Sequence, residues 1–407
     1  MALHDVPLIF VLIGLTFYAV LAGADFGAGM WLLLAGPGEA GHHRREHAHT
    51  ATAPVWEANH VWLIFVITVL WTAYPTVFGS IASTLALPMF GAAMGIILRG
   101  ASYALYSGVR KGRELRATET VFALSSVIAP FFLGTLVGAV AARRVPVGNA
   151  AGRLFSSWVS PVPIYGGVLA VATGAYLAAV FLAGDARRRG EQDLEQAYRT
   201  RALAAGVLAG ALAIGGLLVV RHDARPLYEG LVHHGHIAAP ICSALAGVAT
   251  LALVARRAYE PARVIAALAV AAIVVGWALA QSPILLPGLT VARAAAPHET
   301  LVLVVIAVLA GAVILFPSLG LLFGLTLRGR FDPGAPSPGP PAAPATGADR
   351  TAPLARVAGA CALAGAGVLV FADAQWAHAV AVVALLAAVV LGFFALRPGE
   401  LADEGDA

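Results

Sequence analysis

The sequence predicts an all-α protein that crosses a membrane several times. Of its 407 residues, 59% are hydrophobic and only 12% are charged, whereas a soluble domain carries about 25% charged residues. Many apolar runs are long enough for a helix to cross about 30 Å of hydrocarbon. These runs do not alternate between apolar and polar residues, which argues against transmembrane β-strands. The expected surroundings are therefore a lipid bilayer. A net charge of +4 does not indicate nucleic-acid binding, because the arginines lie between the runs.

Eleven helical spans are predicted, nine in a first group and two near the C-terminus. They cover residues 7–35, 55–79, 82–107, 118–142, 162–183, 201–221, 230–255, 261–284, 300–327, 353–371 and 375–396. A Pro/Ala-rich linker at 331–352 has the composition of a disordered or polyproline-like segment. We therefore expect a transmembrane domain at 1–330 and a two-helix membrane extension at 353–407.

Arginine and lysine placement predicts the orientation, because loops on the cytoplasmic side are enriched in these residues. The odd-numbered connections between spans carry most of them, for example Arg187, Arg188 and Arg189 after the fifth span. We expect those connections to be cytoplasmic, which places the N-terminus outside and the C-terminus in the cytoplasm.

Two acidic residues lie in the first two predicted spans, Asp25 and Glu57. An acid carried into a bilayer costs about 2.5–3.5 kcal/mol, so its default interpretation is functional. At helical spacing Glu57 can meet His60, and Trp56, Asn59 and His60 share one face. Two acids on neighbouring helices suggest proton handling within the membrane. The alternative, that they bond helix ends and hold subunits together, is equally open.

Arg99 is the one basic residue well inside a predicted span. It either snorkels to the membrane face or pairs with Asp25 or Glu57, and the composition slightly favours pairing. Trp56 and Trp62 are more typical of helix packing than of a cofactor site.

The connection between the first two spans holds four histidines, and two cysteines lie far apart in the chain. They are His42, His43, His47, His49, Cys242 and Cys361. A histidine tract can bind a metal, but a solvated loop is the more common explanation. The cysteines form no CxxC pair, so neither a zinc site nor an iron–sulfur cluster is indicated. No residue is assigned as a metal ligand.

Five short motifs occur in order along the first nine predicted spans. They are Gly23-Ala24-Asp25-Phe26-Gly27, Trp56-Glu57-Ala58-Asn59-His60-Val61-Trp62-Leu63, Ala73-Tyr74-Pro75, Arg99-Gly100 and Leu285-Leu286-Pro287-Gly288-Leu289-Thr290-Val291. Together they resemble the signatures of subunit II of the cytochrome bd family of quinol oxidases, over about residues 7–330. Glu57 stands where that family has aspartate, and His60 where it has Glu or Gln, so the chain resembles a divergent member.

The resemblance implies a nine-helix core of two four-helix bundles plus a peripheral helix. It also implies an accessory, non-haem subunit of a ubiquinol or menaquinol oxidase in the bacterial inner membrane, not catalytic alone. Such a subunit pairs with and stabilises the haem-bearing subunit I, at which quinol and dioxygen react. Haems b and d belong to that partner, and a structural quinone is a further implication. Asp25 and Glu57 would then contribute to cytoplasmic proton uptake, supported by Trp56, Asn59, His60, Trp62 and Arg99.

Two other functions compete with this interpretation. One is a secondary transporter, with a metal as a candidate substrate because of the histidine tract; broken helices with Gly and Pro at corresponding positions in two halves would favour it. Pro75, Pro88 and Pro130 crowd the first half without clear counterparts in the second. A purely structural membrane assembly protein is the third hypothesis.

Overall fold

The computed structural model describes residues 2–52, 56–106, 113–232 and 236–327, with isolated helical residues between 356 and 387. Side chains at 50–52, 56–58, 106, 113, 322, 323 and 325–327 are outside that description. The chain divides into two compact units, Met1–Thr326 and Leu327–Ala407. The linker at 331–352 and nearly all of the extension at 353–407 fall outside the described residues, so the two C-terminal spans stay a prediction.

The first unit is built almost entirely from helices, which confirms the all-α prediction. A 3-10 turn at Leu3–Asp5 precedes α1 Val6–Leu33, α2 Gly38–Thr52, α3 Trp56–Ala73, α4 Pro75–Thr84, α5 Ala86–Tyr106, α6 Arg113–Ala141, α7 Pro161–Arg188, α8 Gln192–Asp223, α9 Arg225–Val232, α10 Ala238–Ala255, α11 Tyr259–Gln281, α12 Val291–Ala294 and α13 His298–Leu327. Between α11 and α12, the short strands β1 Ile284–Leu286 and β2 Leu289–Thr290 form an antiparallel hairpin. Gly288 turns this hairpin with a φ of 76°, a conformation that glycine adopts without a steric penalty.

Seven of the described helices are long and apolar enough to cross a membrane: α1, α6, α7, α8, α10, α11 and α13. The bent pair α3 and α4 would be an eighth span if its two helices are counted as a single span. The chain is therefore a multi-pass membrane protein. Each of the nine predicted segments between residues 7 and 327 coincides with one of these helices, with α5, or with the α3–α4 pair. The nine-helix arrangement in two bundles stays a prediction.

The second predicted span is not continuous, contrary to the sequence prediction of one helix over 55–79. Helix α3 ends at Ala73 and α4 begins at Pro75, with a bend of 119° between them. Proline disfavours the helical conformation of the residue before it, and Tyr74 has φ −138° and ψ 63°. The Tyr74 hydroxyl donates to the His4 carbonyl at 2.6 Å, which fastens the bend to the N-terminal turn.

Two other boundaries also differ from the predicted ones. The seventh span starts at Ala238 rather than 230, because α9 is a separate short helix. The histidine-rich connection at 36–53 is largely helix α2 rather than a solvated loop. Although α2 is polar in composition, Gly41, His47 and Ala48 are buried. The solvated-loop prediction for this segment is therefore wrong.

Small residues let α1 and α7 cross closely, which positions the first acidic motif. A Cβ added at Gly27 would collide with the backbone of Gly174, and Gly23 lies beside the same residue. Small residues four apart are typical of close helix contacts in membranes. The two glycines of the Gly23–Gly27 motif thus serve the α7 contact, while Asp25 between them is free to face other helices.

Candidate functional site

The site centres on a buried ion pair that joins α1 to α5. The Nη2 atom of Arg99 lies 2.7 Å from Oδ1 of Asp25, and it also donates to the Asp25 backbone carbonyl at 3.0 Å. The two side chains are only 2% and 1% exposed, respectively. The structure therefore pairs Arg99 with Asp25 instead of letting it extend to the membrane face.

Further contacts hold the guanidinium of Arg99 in place. Its Nη1 donates to the Ser126 hydroxyl of α6. Its plane lies over the rings of Phe122, at 4.2 Å, and Phe26, at 5.3 Å, and such cation–π contacts are favourable when desolvated. A Cβ at Gly29 would come within 2.5 Å of Nη1, so only glycine leaves room for the guanidinium there. Arg99 thus ties three helices together.

Two buried polar atoms near the ion pair have no hydrogen-bond partner among the described residues: Oδ2 of Asp25 and the hydroxyl of Tyr18. Tyr18 lies seven residues before Asp25, two helical turns away on the same face of α1. Buried polar atoms are normally hydrogen-bonded. These are therefore the atoms of the site that remain available to a further polar group.

Helix α3 brings Asn59 and His60 to the same region of α1. The His60 ring lies edge-on to Tyr18 and to Phe26, with ring centres 6.0 and 5.7 Å apart. Asn59 is buried, and its Nδ2 donates to the Leu21 carbonyl at 3.4 Å. Asn59 and His60, which the sequence places on one face of their helix, thus both contact α1.

Trp62 lies one turn further along α3 and stacks on Phe17 at 4.5 Å, in the packing role favoured from the sequence. The backbone of Trp56 and Glu57 belongs to α3, but their side chains are outside the described part of the structure. The contact expected between Glu57 and His60 thus stays a prediction.

Within the described residues, no group of three or more His, Cys, Asp or Glu side chains could hold a metal ion. Histidines of α2 contact protein instead. Nε2 of His47 is 3.2 Å from the Leu182 carbonyl, and the His49 ring stacks on Tyr103 at 5.0 Å. Nε2 of His43 lies 3.0 Å from Glu191. One ring nitrogen of His47 and one of His43 thus contact groups of this chain, and the His49 ring packs on Tyr103. His233, His234 and His378 lie outside the described residues.

Two histidines of α2, the buried His47 and the partly buried His49, have lowered pKa values. Burial lowers the pKa of His47, although the Leu182 carbonyl and the nearby Asp185 partly offset it. Burial, and then the positive charge of Arg99, lower the pKa of His49 to about 4. A cationic imidazole would lose hydration in this setting, so docking of α2 requires both rings to be uncharged.

An apolar cavity of about 360 Å³ lies between α1, α3, α4, α5, α6 and α11. Its few polar members include Tyr18, which borders the ion-pair site, and Gln281 at the end of α11. A concave apolar space with few polar groups is typical of a site for a lipid-like molecule. No motif in the sequence indicated this cavity.

Several residues of the site were not identified from the sequence, namely Tyr18, Phe122, Ser126 and Gly29. Tyr18 carried a usable signal, because it falls on the same helix face as Asp25. Ser126 carried no such signal, because a serine in an apolar helix usually donates a hydrogen bond to a carbonyl of its own helix. Ser126 also does this, to the Phe122 carbonyl.

Comparisons with known proteins agree with one another. A family model described as cytochrome bd terminal oxidase subunit II matches residues 3–326. A Bacillus subtilis (strain 168) protein named "Putative cytochrome bd menaquinol oxidase subunit II" is 24% identical over 242 residues, covering 57% of this chain and 67% of that protein. A second protein of that organism, "Cytochrome bd ubiquinol oxidase subunit 2", is 29% identical over 135 residues, covering 33% of this chain and 39% of that protein.

The fold is also similar to that of a solved structure. One chain in the structure of bd oxidase from Geobacillus thermodenitrificans superposes with a TM-score of 0.65 at 23% sequence identity. The match covers 81% of this chain and 99% of that chain. At this level of identity the likeness concerns the fold.

Proposed function

The chain belongs to the cytochrome bd terminal oxidase subunit II family, and from this premise we propose that it is the accessory, non-haem subunit of a bacterial membrane quinol:oxygen oxidoreductase. It pairs with the haem-bearing subunit I and stabilises that subunit's helices. Quinol and dioxygen react at the complex, and haems b and d are held by the partner. The observation that carries the proposal is the ion pair of Asp25 and Arg99, which lies buried within the two motifs of this family.

The described histidines support the assignment of the haems to the partner. Nε2 of His47 contacts the Leu182 carbonyl, and the rings of His49 and His60 pack against aromatic side chains of this chain. Haem ligation inside a bilayer needs an axial His, Cys or Met, and these three imidazoles make contacts within the chain instead. These contacts also weaken the hypothesis of a metal transporter, which depended on the histidines of α2.

The second part of the proposal is that Asp25 and Glu57 contribute to proton uptake from the cytoplasm. Reduction of dioxygen to water consumes protons, and a route through the membrane needs titratable groups in sequence. Oδ1 of Asp25 is held by Arg99, so Oδ2 is the atom that would accept a proton. The Tyr18 hydroxyl and the His60 ring border this atom's side of α1. Glu57 would deliver the proton from the start of α3.

The apolar cavity beside Tyr18 is the place in this chain where a structural quinone would lie. Its lining could hold the ring and the first isoprene units of a quinone by contact alone. Trp277 also lines this cavity, and its buried Nε1–H has no hydrogen-bond partner among the described residues, so it is the donor that would orient a ring carbonyl there.

Isolation of the chain from its native membrane tests the proposed function. A tag on this chain should bring down a second membrane subunit together with haem that absorbs red light. A preparation that contains this chain at full yield, with no haem-bearing subunit, would contradict the proposal. The same experiment on the Arg225→Gln variant, which changes an exposed arginine of α9, shows whether an unrelated surface substitution disturbs copurification of the partner.

A further inference from the structure

An open cavity lies where the turn between α7 and α8 meets the turn between α10 and α11. Its volume is about 420 Å³, and three arginines line it: Arg187, Arg188 and Arg257. All four helices are long and apolar enough to cross a membrane. The cavity therefore lies at the membrane boundary, where lipid headgroups are found.

A buried carboxylate holds two of the arginines close together. Glu195 lies 3.3 Å from Nη1 of Arg187 and 3.5 Å from Nη1 of Arg257, and it accepts a hydrogen bond from Tyr259 at 2.9 Å. The Glu195 side chain is 5% exposed, whereas those of Arg187 and Arg257 are 52% and 47% exposed. The buried carboxylate thus holds two half-exposed guanidiniums, of which that of Arg257 also donates through Nη2 to Gln196 at 3.4 Å.

Charge around the cavity is positive on balance. Arg188 contacts Glu260 at 2.7 Å and also Asp185, and Arg263 contacts the same two acids at 3.4 and 3.2 Å. Together with Arg187, Arg257 and Glu195, this makes four arginines that face three carboxylates. Each guanidinium has five donors, and the contacts named here use only some of them, so the cavity can offer several N–H groups to an anion.

The backbone at Arg257 is strained in a way that glycine would relieve. Arg257 has a φ of 60°. The Ala258 N–H bonds the Leu253 carbonyl at 2.9 Å and the Arg257 N–H bonds the Val254 carbonyl at 3.0 Å, which together form a Schellman motif at the end of α10. Glycine usually occupies this left-handed position because it has no Cβ. A non-glycine residue at such a position motivates the hypothesis that its side chain has a use, and here that side chain lines the cavity.

An exposed apolar stripe runs along α11 away from the cavity. Val264, Leu268, Val275 and Leu279 are all exposed, and their spacing of four and seven residues puts them on one face of the helix. Hydrocarbon chains can lie along such a face. A ligand that combines an anionic head with apolar chains would match both features.

We propose that this cavity binds the phosphate-bearing headgroup of an anionic phospholipid, with its acyl chains along α11. Guanidinium groups form strong, often bidentate hydrogen bonds to phosphate. Basic pockets between transmembrane helices are known to select anionic lipid headgroups in this manner. The apolar stripe is what distinguishes a lipid from free phosphate as the ligand.

The test titrates the detergent-purified protein, with the subunits that accompany it, against phosphatidylglycerol and against phosphatidylcholine, counting bound lipid by native mass spectrometry. We expect at least one tightly held phosphatidylglycerol. Arg257→Gly should weaken it about fivefold or more, the change that corresponds to about 1 kcal/mol for one arginine at a membrane surface. This variant keeps the turn, because glycine suits the backbone there. Arg187→Gln provides a second, independent variant.

Arg225→Gln is the matched control, since Arg225 is an exposed arginine that contacts Glu229 and does not line the cavity. Its binding of phosphatidylglycerol should equal that of the parent chain. The proposal is overturned if Arg257→Gly and Arg187→Gln both bind phosphatidylglycerol as the parent does. It is also overturned if glycerol phosphate without acyl chains binds as tightly, which would make the cavity a site for a soluble anion.

Discussion

Arg99 and Asp25 illustrate how a charge is kept inside an apolar helix bundle. Neither side chain reaches water, and the two charges balance each other at 2.7 Å. Ser126 and two aromatic rings take up the remaining faces of the guanidinium. Removing one partner of a buried pair leaves the other charge uncompensated, at a cost of about 3–5 kcal/mol.

Arg99→Ala should therefore destabilise the folded protein by more than the lost packing of one side chain would. We expect the assembled protein in the membrane to fall severalfold, because Asp25 would remain buried and unpaired. The double variant Arg99→Ala with Asp25→Asn should recover part of that loss, since no charge is then left without a partner. Quantitative immunoblotting of membranes and thermal unfolding of the purified protein measure both effects. Equal loss in the single and double variants would mean that packing, not charge, is what Arg99 supplies.

Substitutions at Glu57 test the second part of the proposed function, which is proton uptake from the cytoplasm. Glutamine has nearly the same shape as glutamate but cannot bind and release a proton at neutral pH. We expect Glu57→Gln to lose most quinol oxidase turnover while its haem content is unchanged. Glu57→Asp should keep much of the turnover, because it retains an acid at the position. Loss of haem together with turnover would instead assign Glu57 to assembly.

Among the helices, the apolar ones were predictable, and so was a pairing of Arg99 with a buried acid, but not which of the two acids is its partner. Continuous hydrophobic runs are a local property, and each run from 7–35 to 300–327 does correspond to helix. The break at Tyr74 carried a local signal in Pro75, but a proline alone does not distinguish a kink from a 119° bend. The partner of Arg99 lies 74 residues away, and residue spacing along one helix cannot identify it.

Helix α2 shows the same limit for a helix of polar composition. Its polar composition resembles that of a loop, and its docking depends on His47 and Leu182, which are 135 residues apart in the chain. His49 in turn packs on Tyr103 of α5. Only the packed structure distinguishes these two histidines from the exposed His42 and His43.

Docking of α2 should weaken as the pH falls. Burial holds the pKa of His47 and His49 below the ordinary value of about 6.5, for His49 at about 4. Above pH 6.5 neither the docked nor the undocked helix binds the proton, so this contribution is constant. Between pH 6.5 and about 4 the undocked form binds a proton at His49 that the docked form does not, and His47 shifts the balance in the same direction. The docking free energy then decreases, by up to about 1.4 kcal/mol per pH unit for His49.

Hydrogen exchange of the α2 amides across this pH range, corrected for intrinsic exchange rates, measures the effect. His49→Gln should reduce the pH dependence, because the amide does not titrate there. His42→Gln, at an exposed position of the same helix, should leave it unchanged. A docking equilibrium that does not vary between pH 7 and pH 5 in the parent chain would show that the histidines are not what couples α2 to the bundle.

On the scale of the whole molecule, arginines concentrate at one end of the helix bundle. Arg188 and Arg263 meet Asp185 and Glu260 near the ends of α7 and α11. Tyr198 of α8 donates to the carbonyl of Arg44 in α2, so α2 belongs to the same end. At the opposite end Arg144 pairs with Asp223. The sequence prediction of orientation uses the same excess of arginines, and it takes this arginine-rich end to be cytoplasmic.

The orientation can be tested with cysteines placed at the two ends. After replacement of Cys242 and Cys361 by serine, Gln192→Cys reports on the arginine-rich end and Asn149→Cys on the other, both at exposed positions. Because arginines resist translocation, we expect a membrane-impermeant thiol reagent to label Gln192→Cys only in inverted vesicles. The reagent should label Asn149→Cys only in right-side-out cells. The reverse labelling pattern would place α2 and the arginine-lined cavity outside, and protons reaching Asp25 from that end would then not come from the cytoplasm.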